Sequence, residues 1–149
     1  MNLISMTLRV KHKRVLTEII SLILILLFAY AGVTKFLEGK MFYNNIRNSP
    51  IFGGETIATI VAIVIPVGEI VTSFLIAWRR TRLIGLYGAL VLMLLFTGYT
   101  VTLLFFTNTV PCSCGGIISL LSWEQHLMFI LVLLLLTILN IAISKPIEK

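Results

Sequence analysis

Residues Thr56–Trp78 read TIATIVAIVIPVGEIVTSFLIAW, and residues Leu83–Phe106 read LIGLYGALVLMLLFTGYTVTLLFF; only Arg79-Arg80-Thr81-Arg82 stands between them. A run of about 20 apolar residues is long enough to cross the hydrocarbon core of a bilayer as a helix. In lipid the backbone must satisfy its own hydrogen bonds, so a helix is the expected form of each run. The three arginines between the runs have no place in that core and mark a membrane face.

Two more such runs lie outside this pair, which places the spans at about 15–35, 56–78, 83–106 and 123–143. The expected fold is all-α: one integral membrane domain over residues 1–149, a four-helix bundle. Composition agrees. The chain has 149 residues, 58 % of them hydrophobic and 12 % charged, with no aspartate. A soluble domain needs more polar surface than that. The net charge of +6 is no sign of nucleic acid, because the basic residues cluster at the ends of the apolar runs.

Those clusters orient the chain. Arg9, Lys11, Lys13 and Arg14 precede the first span, and Lys145 and Lys149 follow the fourth. With the arginine turn they place both termini in the cytoplasm. Ala29-Tyr30-Ala31 has the form of a signal-peptide cleavage site, but three further spans favour a retained first helix. The loop 36–54 is mixed in character. The loop 107–122 has no charged residue and falls on the outer face. A multi-pass protein of the bacterial inner membrane is the expected setting.

The outer loop holds both cysteines, in Pro111-Cys112-Ser113-Cys114-Gly115-Gly116. A disulfide between residues this close forms only a small, tight ring. It closes almost no loop and adds little stability. A strained bond is more readily reduced, which suits redox exchange better than structure. The flanking glycines leave the backbone free to turn and the sulfurs open to a partner. The bland alternative is two small buried residues in a turn. A zinc site is weaker still, because two thiolates do not fill a tetrahedral shell.

Several polar residues stand inside or at the ends of the spans. Glu69, in Pro66-Val67-Gly68-Glu69, lies about 13 Å from the cytoplasmic end of its helix. An ionisable group at that depth is a functional candidate. Its bland reading is a neutral carboxyl, hydrogen-bonded across helices to Ser21, in which case Glu69→Gln folds normally. Lys35 closes the first span, either as a snorkelling lysine or as a cation beside the thiols. His126 follows one turn into the fourth span and is a candidate proton relay or thiolate partner. Ser122 and Gln125 have the spacing of a helix capping box. Trp78, Tyr87 and Trp123 read as interface anchors. Tyr30 and Tyr99 are candidates for a pocket under the dithiol.

Tyr30-x-Gly32-x-x-Lys35, Ser49-Pro50, Pro66-x-x-Glu69, the Cys-Ser-Cys segment and Trp123-x-x-His126 together resemble the MauE/DoxX family of small four-span membrane proteins, on the MauE side. The resemblance covers nearly the whole chain. It implies an accessory of disulfide formation in an exported, disulfide-rich enzyme subunit of methylamine utilisation, acting with a thioredoxin-like partner. The outline is also similar to vitamin K epoxide reductase, which couples thiols to a quinone. This chain has one cysteine pair where that pattern has two, which argues against an internal relay.

The function expected from these readings is thiol–disulfide exchange with an exported thioredoxin-like or client protein. Cys112 and Cys114 would carry it, with Lys35 and His126 tuning them. The candidate cofactor is a quinone, in a pocket beside Tyr30, Tyr99 and Trp123. The competing class is a membrane scaffold whose cysteine loop is structural or holds a soft metal such as Cu(I). A solute carrier is the third class, favoured by Glu69 alone, and no inverted repeat supports it.

Overall fold

The structure, a computed structural model, describes residues 2–51, 53–106 and 122–148. It is all-helical, with α1 Asn2–Leu37, α2 Gly39–Arg47, α3 Glu55–Ala77, α4 Arg82–Phe106 and α5 Trp123–Glu148. Four of these are long and apolar enough to cross a membrane: Met6–Leu37, Glu55–Ala77, Arg82–Phe106 and Glu124–Lys145. The first helix starts earlier than the expected span. No glycine or proline occurs before Gly32, so nothing interrupts the helix between the basic segment and the apolar run.

The mixed loop after the first span contains a helix that the sequence reading did not anticipate. α2 places Ile46 in the interior and half-buries Phe42 and Asn45 beside it, while Lys40 and Arg47 face out. This i, i+3, i+4 spacing is the stripe of a short amphipathic helix.

The four long helices form a ring, with α1 packed on α3 and α5, and α4 packed on α3 and α5; α2 rests on α3. Leu24 and Phe28 of α1, Ile76 of α3, Leu86 and Ala89 of α4, and Ile130, Leu133 and Ile141 of α5 fill the centre. The outside is as apolar as the inside, with Leu26, Ile60, Phe74 and Leu135 all exposed. A surface of that kind calls for apolar surroundings such as a bilayer.

Polar ties fix the helices against one another. Asn140 Nδ2 donates to Ser21 Oγ at 3.0 Å, and both residues are buried. Ser21 is therefore the partner of Asn140 and not of Glu69, which corrects the expected pairing. Ser73 Oγ donates to the Ile25 carbonyl at 3.1 Å. At the arginine turn, Arg82 grips both carboxylate oxygens of Glu18 at 2.9 and 3.1 Å, and its Nε donates to the Ile76 carbonyl at 3.2 Å. Thr81 Oγ1 donates to the Leu75 carbonyl at 3.0 Å, so side chains satisfy the last carbonyls of α3. Gly85 permits this tight turn: a Cβ there would sit 2.6 Å from the Ile76 nitrogen.

Candidate functional site

The site begins with Gly32. A Cβ at this position would lie 2.7 Å from Ile70 Cγ1 and 3.1 Å from the Pro66 carbonyl oxygen. Only glycine lets α1 approach α3 this closely. Pro66 lies within α3, where it has no N–H to donate and leaves a carbonyl one turn back without its helix partner. Lys35 is one turn beyond Gly32 on the same face of α1, and Glu69 is one turn beyond Pro66 on α3. The two spaced motifs thus serve a single contact: Lys35 Nζ reaches Glu69 Oε1 at 2.7 Å.

Both side chains are almost fully shielded, at 9 % and 1 % exposure. The structure therefore turns Lys35 inward rather than letting it snorkel. Side chains on a helix lean toward its N-terminus, which for Lys35 means toward the interior of the bundle. The ammonium also lies 5.2 Å from the centre of the Phe96 ring and 5.8 Å from that of Phe42. Aromatic faces at this range attract a cation, and more strongly where water is excluded. Glu69 Oε1 accepts from Lys35, whereas Oε2 is buried without a hydrogen-bond partner among the described residues.

The ion pair lies in the wall of a cavity of about 550 Å³. The wall is overwhelmingly apolar, with Phe28, Ile65, Phe96, Phe129 and Leu133 among its residues. Its polar members are few and include Lys35, Glu69, Asn45, Tyr99 and His126. A large apolar cavity with a few convergent polar groups is the usual form of a small-molecule site.

The other expected site residues divide. His126 is buried and lines the cavity from the first turn of α5. Its position is set by the capping box: the Gln125 N–H donates to Ser122 Oγ at 3.4 Å, and the Ser122 N–H donates to Gln125 Oε1 at 3.1 Å. Tyr99 also lines the cavity, and its hydroxyl donates to Ser49 Oγ at 3.4 Å, which ties the loop after α2 to α4. Tyr30 sits on a more exposed part of α1 and is not among the cavity residues. Trp123 is the first residue of α5. Cys112 and Cys114 lie outside the described residues, in the connection from α4 to α5.

The sequence reading missed Phe42, Asn45 and Ile46 of α2, whose helical spacing was legible. It also missed Phe96, which no local pattern separates from its apolar neighbours.

Four long apolar helices ringed about a buried ion pair and an apolar cavity define a multi-pass membrane protein. The chain belongs to the MauE family, described as methylamine utilisation protein MauE, whose sequence profile matches residues 13–143. That match runs from the basic part of α1 into the last turns of α5. No curated protein and no solved structure matches the chain.

Proposed function

We propose that this chain is a thiol–disulfide exchange protein of the bacterial inner membrane, with both termini in the cytoplasm and Cys112 and Cys114 on the outer side. Its partner is an exported thioredoxin-like protein or a disulfide-containing client. The family description ties the reading to methylamine utilisation, and an exported enzyme of that process is the client class proposed.

The step is a pair of thiol displacements. A thiolate from one cysteine attacks a partner disulfide, forms a mixed disulfide and releases one partner thiolate. The second cysteine then attacks the mixed disulfide, closes the Cys112–Cys114 bond and releases the other partner thiolate. Two electrons pass to the partner, and the reverse sequence oxidises it. The observation that carries this reading is the position of His126. It is held one turn beyond the end of the cysteine connection and faces the cavity that also contains Lys35. An imidazole there is suited to move the proton that a thiol must lose.

Alkylation-shift gels test the proposal. The wild type is expected to show two interconvertible states, with mild dithiothreitol reducing the bond without denaturant. A single Cys112→Ser or Cys114→Ser change is expected to abolish the couple and prolong a mixed disulfide with the partner. Thiols protected until a chelator is added would favour the soft-metal scaffold instead. Full maturation of the exported client by the double Cys→Ser protein would overturn the assignment.

A further inference from the structure

We infer that the cavity binds a neutral, lipid-soluble molecule with an apolar body and a hydroxyl-bearing aromatic head, seated so that the hydroxyl donates to Glu69 Oε2. The inference goes beyond the exchange proposed for the cysteines and uses none of the residues in their loop.

Three observations carry it. Glu69 is 1 % exposed and lines the cavity, yet only Oε1 has a partner. An ionised carboxylate is purely an acceptor, so Oε2 calls for a donor. A buried acceptor left without one is unfavourable, and a ligand that supplies the donor removes that cost. The net charge of the pair decides the second point. Lys35 and Glu69 neutralise each other at 2.7 Å, so an added cation meets Lys35 and an added anion meets Glu69. A neutral head avoids both penalties. Third, aromatic rings already surround the polar end, with Phe42 and Phe96 against Lys35 and Phe129 on the same wall. A flat ring packs against such faces, and the apolar remainder of the cavity takes the body.

Access is from the lipid. Leu94 and Leu95 belong to the cavity wall and are both more than half exposed, so the space is continuous with the lipid-facing side of α4. The same acceptor discriminates against one neighbouring class. An oxidised quinone has acceptor oxygens only and leaves Oε2 without a partner, whereas a phenol or hydroquinone donates to it.

Calorimetric titration of the full-length protein in detergent with para-heptylphenol and para-heptylanisole tests the inference. The two probes share a body and ring, but the anisole has no donor. Saturable binding of the phenol is expected, about tenfold tighter than the anisole. Glu69→Gln is expected to erase that preference, and Ile65→Trp, which fills the cavity one turn from Glu69, to abolish binding of both. If the Glu69 variant does not fold, the comparison on wild type still decides the matter. Equal affinity for the two probes, or no saturable binding of the phenol, would overturn the inference. The double Cys→Ser protein is expected to bind the phenol unchanged, so failure here and failure of the exchange reading are distinguishable.

Discussion

Lys35 near the end of α1 and Glu69 in the middle of α3 form an ion pair at 2.7 Å inside the bundle, 34 residues apart in the chain. Both residues line the cavity. The pair ties the first and second spans together at the depth where Gly32 lets their backbones approach.

Breaking the pair on one side leaves a buried charge alone. Lys35→Met or Glu69→Leu is expected to cost about 3–5 kcal/mol, the range for a buried pair stripped of one partner. The double variant Lys35→Met, Glu69→Leu is expected to recover most of the loss. Thermal unfolding in detergent reads both. Additive losses in the double variant would refute a coupled pair. Glu69→Gln, which a neutral carboxyl would tolerate, is expected to be destabilising for the same reason.

Gly32 makes a sharper test of geometry. Gly32→Ala drives a methyl to 2.7 Å from Ile70 Cγ1 and 3.1 Å from the Pro66 carbonyl oxygen. Overpacking of this kind is expected to cost about 1–3 kcal/mol. Gly68→Ala, in the same region of α3, meets nothing within 4 Å. It is expected to be neutral or to stabilise by up to about 1 kcal/mol, because alanine is the better helix former. Equal melting temperatures for the two variants would contradict the close approach of α1 and α3.

Asn140 and Ser21 pin α5 to α1 at the other half of the bundle. Hydrogen bonds between membrane helices contribute about 0.6 kcal/mol on average and rarely more than about 2 kcal/mol. Asn140→Leu and Ser21→Ala are therefore expected to lower stability modestly, and the double variant to lose less than their sum. Unfolding midpoints across the full cycle measure the coupling, and a coupling of zero would remove this contact from the fold.

Orientation is open to direct labelling. If the arginine turn faces the cytoplasm, as proposed, reduced Cys112 or Cys114 is expected to react with a membrane-impermeant maleimide in intact spheroplasts. Reaction only after lysis would invert the topology.

The amino-acid sequence alone determined the four spans, because each needs only about 20 consecutive apolar residues and the signal is local. The capping box at Ser122 and Gln125 was legible for the same reason: both its hydrogen bonds close within one turn. The candidate residues Lys35, Glu69, Tyr99 and His126 also stood out locally, as polar groups in apolar surroundings. Their partners did not. Whether Glu69 meets Ser21 or Lys35 depends on which faces of α1 and α3 oppose each other and at what axial offset. Gly32 and Pro66 set that register only once the two helices are packed. The same holds for the cavity, which draws its wall from all five helices and appears in no single stretch of the chain. Tyr30 and Tyr99 looked alike as sequence, yet the rotation of their helices puts Tyr99 on the cavity wall and leaves Tyr30 off it. Periodicity fixes which residues share a face; only packing decides what that face meets.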